Sequence, residues 1–345
     1  MEARRAAMSG LSGVHLTRHI GTVVTATDEL VKRWDDGETV DLLPAMEELT
    51  AHSVASFCFG QEGKRVPTLS ARLLDTLLPI VSGAFLFPHW FPIRRNVRAM
   101  RAQVMLRREI SRIVEAHGRH VEKGTLVGHL RGQSSPLKEE ETVKVLMGLT
   151  LAGHGVPASA LCWIWLMLAW HPSSAGRLKA EVDRQLYGDP TNASDLSRLP
   201  FAQAVVKEAL RLFPPTWLVA RTVAQPCELG GFDLQPGQGL LISSYVLARS
   251  PGSFQSPTTF APERWLDLAS YGTSPRYAYS PFGSGVRACM GQAFAMAELT
   301  AVTAALARRV EFLVDGSCRP TADARRTLTP NPLRVVIRKR PGRGA

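Results

Sequence analysis

The sequence predicts a mainly α chain of the α+β kind, one helix-rich domain over residues 1–345 with a small β region toward its carboxyl side. Three observations predict it. From Gly21 to Phe213 apolar residues recur every three or four positions, the period of a helix. After Pro214-Pro215 that period gives way to short apolar runs broken by glycine and proline, which read as strands. No proline-, glycine- or serine-rich linker separates the two regions, and the sequence holds no internal repeat.

The expected helices are Gly21–Trp34, Leu43–Phe59, Ser70–Ala84, Arg95–Lys123, Glu139–Trp170 and Ala175–Leu186. Polar breaks at Asp35-Asp36-Gly37, Gly60–Gly63 and Gly132–Pro136 divide them, and Asn192–Asp195 reads as a further loop. Phe201–Phe213 is the next helix. Pro214 stops it, because proline has no amide hydrogen and clashes with the preceding turn. The expected strands are Trp217–Arg221, Cys227–Leu229, Gly239–Ser243 and Leu333–Ile337.

With 345 residues, 45% hydrophobic and 21% charged, the composition is that of an ordinary globular chain. No uninterrupted apolar run reaches the roughly 18 residues of a membrane span. Met1–Arg5 lacks the apolar stretch of a signal peptide. Five scattered cysteines, with no Cys-x-x-Cys pair, argue against a disulfide scaffold and against a zinc site. A reducing cytoplasm is expected. The net charge of +11 is dispersed and accompanied by no helix-turn-helix, finger or aromatic-basic platform, so nucleic acid is not an expected partner.

Chemistry concentrates at Phe282-Gly283-Ser284-Gly285-Val286-Arg287-Ala288-Cys289-Met290-Gly291. A single thiol follows a glycine-rich turn and precedes a run of helix formers from Gln292. Glycines let the backbone fold tightly around a sulfur, and a helix start behind it favours its negative charge. A lone cysteine is more often a buried, inert thiol. The complete pattern Phe-x-x-Gly-x-Arg-x-Cys-x-Gly instead suits a thiolate that ligates one iron.

This passage resembles the cysteine-ligand loop of the cytochrome P450 family, the haem-thiolate monooxygenases. Further motifs agree, in the family's order. Leu151-Ala152-Gly153-His154 is similar to the start of its oxygen-binding helix signature. Glu208-Ala209-Leu210-Arg211 is similar to its Glu-x-x-Arg, with Pro214-Pro215 after it, and Pro262-Glu263-Arg264-Trp265 to its Pro-Glu-Arg-Phe/Trp segment. The resemblance implies the cytochrome P450 fold, with haem b between a distal and a proximal helix. It also implies O2, a lipophilic substrate such as a terpenoid or polyketide, and electrons from a ferredoxin and its reductase. A monomer is expected. Arg4–Met8 resembles the end of a helix that lies well inside the family's usual chain, so the customary amino-terminal part is expected to be missing.

By the same resemblance Cys289 is the metal ligand, Phe282 packs beside the sulfur, and Gly283 and Gly291 shape the turn. Arg287, Arg221 and Arg5 are the arginines expected at haem propionates. Glu208, Arg211 and Arg264 form a structural triad. Ala152, Gly153 and Val156 on the distal helix, with Trp217, Leu218 and Val219, would line the pocket, and Phe87 with Trp90 lies in a proline-punctuated stretch suited to a lid. His154 sits in the oxygen-activating turn at a position where the family often has histidine, and is expected to be a packed or solvated helix residue.

The distal helix departs from the family. Its usual Ala-Gly-x-(Asp/Glu)-Thr-Thr reads Ala152-Gly153-His154-Gly155-Val156-Pro157, so both the acid and the alcohol are absent. Valine neither donates nor accepts a hydrogen bond. Protons would then come through water, Ser159 or a substrate group. The alternatives are a peroxide-dependent or oxidative-coupling enzyme, or a haem- or ligand-binding remnant without turnover. Pro157 is expected to bend the helix.

Overall fold

The computed structural model describes residues 2–11, 13–81, 93–117, 124–132, 137–186, 189–190, 192–267 and 278–340. Helix α1 (Glu2–Gly10) leads to α2 (Gly13–Lys32), strand β1 (Thr39–Asp41) and α3 (Leu42–Phe59). α4 (Val66–Val81), α5 (Arg94–His117), α6 (Leu126–Arg131) and α7 (Glu139–Trp170) follow. Next come α8 (Pro172–Gln185), α9 (Ala193–Ser197) and α10 (Pro200–Leu212). The strand region holds β2 (Leu218–Thr222), β3 (Cys227–Leu229), β4 (Phe232–Leu234), β5 (Gly239–Ser243) and the helical turn α11 (Ser244–Leu247). α12 (Gln292–Arg309) then precedes β6 (Val310–Val314), β7 (Thr321–Asp323), β8 (Thr329–Asn331) and β9 (Arg334–Lys339).

α7 is the axis. Its 32 residues span about 48 Å at the rise of an α-helix. Three glutamates, Glu139 to Glu141, fill its first turn, where negative charge complements the helix dipole. Pro172 ends it, since the residue before a proline avoids the helical region. Every residue from Pro157 to Leu168 is buried. α3, α4, α5, α10 and α12 all pack against it. By length and composition α7 is apolar enough to cross a membrane, a test that a buried core helix also passes.

The helix runs through Pro157 without a break. The proline leaves the Gly153 carbonyl without its usual amide partner. Around it, Thr50 Oγ1 donates to the His154 carbonyl at 2.5 Å and Ser159 Oγ to the Gly155 carbonyl at 3.0 Å. The Trp163 ring stacks on Phe213 at 3.7 Å, and its indole N–H donates to the Leu328 carbonyl at 2.9 Å, tying α7 to the segment before β8.

α12 lies beside α7 and against α2, α8 and α10. A three-stranded antiparallel sheet, in the order β1-β9-β6, closes one side, with Val40 opposite Val335 and Phe312 opposite Ile337. β2 pairs with β5 so that Val219 faces Ile242.

Some elements differ from the sequence reading. Asn192–Asp195 is not a loop throughout: Asn192 Oδ1 accepts the Asp195 amide at 3.0 Å, an N-cap that starts α9. α2 begins at Gly13 rather than Gly21, and α4 at Val66 rather than Ser70. α6, α11, β1, β4, β6, β7 and β8 were not expected, being short and mostly mixed in exposure.

Candidate active site

The thiols of Cys58 and Cys162 are buried, and burial pushes both well above the ordinary thiol range. Cys318 is buried too. Cys227, on the β3–β4 hairpin, and Cys289 are exposed. Cys289 alone follows a glycine turn and precedes a long helix. Gly283 and Gly285 adopt φ of +69° and +71°, the left-handed region that a side chain disfavours. The Ala288 amide donates to the Gly285 carbonyl at 3.1 Å, and the Cys289 amide to the Phe282 carbonyl at 2.8 Å. The turn therefore closes on the cysteine. α12 starts three residues later at Gln292, with Gly291 at its N-cap. Phe282 is half-buried and packs onto the main core. From the other end of the chain, an Arg4 guanidinium N–H donates to the Ala288 carbonyl.

The segment before this turn is held by a buried ionic cluster. Glu208 on α10 is fully buried. Its Oε1 accepts from Arg211 Nη2 at 2.9 Å, Arg264 Nε at 3.0 Å and the Ala261 amide at 2.9 Å. Its Oε2 accepts from Arg211 Nε and from the Trp265 indole N–H, both at 2.9 Å. The arginines spend their remaining donors on backbone. Arg211 reaches the carbonyls of Ala248, Pro257 and Thr259, and Arg264 those of Gln255 and Ser256. The indole of Trp265 is a member of this cluster that the sequence quoted only as part of a motif.

On α7, Ala152 is exposed and Gly155 and Val156 are half-exposed. At spacings of three and four they share one face. Gly153 and His154 face elsewhere. A Cβ on Gly153 would lie 2.7 Å from Val54 Cγ2, so this glycine permits the close approach of α3 and is not on the open face. His154 is 6% exposed, with Nδ1 3.1 Å from Ser70 Oγ on α4. Burial, with Arg326 nearby, pushes its pKa down to about 4, so the ring is neutral at pH 7. Of the three residues expected at the oxygen-activating turn, only Val156 stays on the open face.

The cytochrome P450 family model matches residues 2–337. The chain belongs to the cytochrome P450 family. It is 33% identical over 317 residues to cyclooctatin synthase of Streptomyces melanosporofaciens, covering 88% of this chain and 68% of that protein. To cyclooctat-9-en-7-ol 5-monooxygenase of the same species it is 28% identical, covering 85% of this chain and 66% of that one. To pentalenene oxygenase of Streptomyces avermitilis it is 26% identical, covering 92% and 73%. The chain thus spans about two thirds of the length of these relatives. In fold it is similar to the cytochrome P450DA heme domain, with a TM-score of 0.87 at 21% identity, covering 98% of this chain and 77% of that one. This P450 is by family an oxidoreductase.

Haem is the cofactor the family implies, and the P450's residues fit it. Cys289 is an exposed thiol just before a helix start, and a Cβ on Gly291 would lie in ordinary contact with its sulfur, at 3.9 Å. Arg221 and Arg287 are exposed guanidiniums without an ion pair among the described residues; Arg221 Nη1 donates only to the Ala220 carbonyl. Leu241 and Ile242 on β5 and Val286 in the cysteine turn are exposed apolar side chains. Leu218 and Val219 are half-buried in β2, whereas Trp217 packs onto the main core. Arg5 is exposed, and it is Arg4 that reaches the cysteine turn. Neighbours on a helix point about 100° apart, so only one of the pair can do so. Phe87 and Trp90 lie outside the described residues.

The His154 environment has a consequence for stability. Unfolded, its imidazole has an ordinary pKa near 6.5; folded, it stays neutral down to about 4. Below about pH 6.5 the unfolded chain therefore takes up a proton that the folded one refuses. Stability is whole above that pH and falls as the pH drops toward 4, by at most about 3 kcal/mol. Urea midpoints measured at pH 7 and pH 5 should drop less for His154→Gln than for the parent. Equal drops would show that the ring is not buried in neutral form.

Proposed function

We propose that this P450 hydroxylates a lipophilic small molecule of the terpenoid class, or a polyketide of similar character. It would use haem b, O2 and electrons from a ferredoxin and its reductase, acting as a monomer in the cytoplasm. The observation that carries this is an exposed cysteine at a glycine turn ahead of a long helix, in a chain similar to named oxygenases of Streptomyces.

When bound, the haem supplies the oxidising power that inserts one oxygen atom into a C–H bond. The protein supplies the rest. Cys289 provides the sulfur that would ligate the iron, three residues before α12. Arg287 and Arg221 offer guanidinium forks suited to carboxylates. Ala152 and Val156 give α7 an apolar face, which with Leu218 and Val219 of β2 as further pocket residues would favour a substrate with little polar surface. Ser159, the nearest hydroxyl on α7, is held by Thr327 at 2.5 Å and Thr329 at 2.7 Å, and so is not free to turn toward the open face.

Gly155 and Val156 support a second reading, in which the enzyme runs on peroxide or couples radicals, or binds haem without turnover. Reduced protein treated with carbon monoxide should show a Soret band shifted to the red by thiolate ligation. Product formation with the ferredoxin pair, compared with peroxide alone, then separates the two readings. Turnover by peroxide only would favour the second. Under the first, Val156→Thr is expected to raise the yield of product per electron severalfold, because it returns a hydroxyl to the open face. An unchanged yield would count against a proton shortage there.

A further inference from the structure

α3 runs alongside α7 at the altered signature. Val54 meets Gly153, Thr50 Oγ1 donates to the His154 carbonyl, and Glu47 comes next, one turn earlier on α3. A Cβ built on Gly155 would lie 4.0 Å from Glu47 Oε1. The oxygens of an aspartate or glutamate at 155 would themselves stand about 2.4–3.6 Å from that Cβ, by standard bond lengths. Glu47 therefore brings a carboxylate from the neighbouring helix close to the space that the missing acid of α7 would fill. A Cβ on 155 would stand in ordinary contact with it, and glycine leaves that space open.

The surroundings of Glu47 suit a group that exchanges protons. Its side chain is 28% exposed, so it can be recharged from solvent. Burial holds its carboxyl above the ordinary range, and the charges of Asp75 on α4 and Asp41 at the start of α3 add to this. Arg326 opposes them from the segment before β8, with Nη1 3.5 Å from Glu47 Oε1, and so stabilises the carboxylate left after a proton departs. The remaining titratable group on this stretch of α7, His154, is neutral and turned toward Ser70.

We propose that Glu47 is the proton-relay carboxylate of this enzyme, supplied by α3 in place of the acid absent from α7. The inference rests on the monooxygenase reading above. Each turnover converts R–H, O2, two electrons and two protons into R–OH and water, the electrons coming from the ferredoxin pair. Protonated Glu47 releases a proton into water at the open face of α7, and the resulting carboxylate recovers one from solvent. Val156 has no hydroxyl to pass the proton on, so water carries it.

The test uses the haem-loaded enzyme with a ferredoxin and reductase pair and a terpenoid that it turns over. Glu47→Gln is expected to keep the thiolate carbon monoxide spectrum, to lose about tenfold or more in product per electron, and to release the difference as hydrogen peroxide. In the parent, product per electron should fall as the pH rises through the raised Glu47 pKa; in Glu47→Gln that dependence should vanish. Adding Gly155→Glu to Glu47→Gln should restore much of the yield. Independently of turnover, the parent's infrared spectrum should contain a protonated-carboxyl band that titrates above the ordinary glutamate range and is missing from Glu47→Gln. Unchanged coupling and pH dependence in Glu47→Gln, with the thiolate spectrum intact, overturn the relay alone. So does a residue-47 band that titrates in the ordinary range. A parent protein with no thiolate spectrum overturns the monooxygenase reading and the relay with it.

Discussion

Cys289→Ala is expected to abolish the red-shifted Soret band of the reduced, carbon monoxide-treated protein together with all oxidation of substrate, whereas Cys227→Ala leaves both unchanged. The pair is a matched comparison, since both thiols are exposed. Their settings differ. Cys227 sits on a two-stranded hairpin opposite Leu234, with no helix start behind it. Cys289 has Gly283 and Gly285 folding the backbone into a closed turn and the amino end of α12 three residues on. Only that setting joins a glycine turn to a following long helix. Because the Cys289 side chain is exposed, its loss should change the stability of the haem-free chain by no more than about 0.5 kcal/mol. The effect is therefore on ligation, not folding. Cys289→His should take up haem without the red shift, since the shift reports sulfur on iron. A normal spectrum in Cys289→Ala would remove the basis of the assignment.

The helical frame was readable where local signals agree. The bounds expected for the central helix, Glu139 to Trp170, are those observed, because acidic residues crowd its first turn and Pro172 stops it. Cys227–Leu229 and Gly239–Ser243 were likewise read to the residue, being short apolar runs between glycines and prolines. Strands such as β7 and β8 gave no such signal. They are three residues long and make sense only as partners of each other. Asn192 misled for a related reason, since the residues that favour loops also cap helices.

At the site, the sequence identified the residues of the signature but not the faces they occupy. α7 is apolar nearly all round, so its pattern does not reveal its rotation. Which of residues 152 to 156 turns inward is decided by Val54 and Ser70 on other helices. Glu47 was invisible for the same reason, lying more than one hundred residues before the glycine it adjoins. Arg4 and Arg5 were distinguishable only by the phase of α1 against the cysteine turn.

Glu208→Ala is expected to lower stability by about 3–5 kcal/mol and to yield protein that does not retain haem. That is about a fifth or more of the 5–15 kcal/mol that holds a typical domain together. The size follows from what is left behind. Arg211 and Arg264, with side chains 0% and 3% exposed, would keep their charges in the interior with no counter-charge. The Trp265 indole N–H and the Ala261 amide would lose their acceptor as well. An exposed pair gives the contrast: Arg177 and Glu263 also meet at 3.0 Å, but their side chains are 49% and 39% exposed, so Glu263→Ala should cost under about 1 kcal/mol. Loss of haem follows from the backbone the cluster holds. Through Arg211 and Arg264, the carbonyls between Ala248 and Thr259 are anchored to α10, upstream of the turn that presents Cys289. Freed of that anchor, the thiol loses its fixed position relative to α7. Urea unfolding and the ratio of Soret to protein absorbance check the two effects separately. A haem-loaded Glu208→Ala protein with an unshifted urea midpoint would mean that the cluster is not what holds the cysteine turn in place.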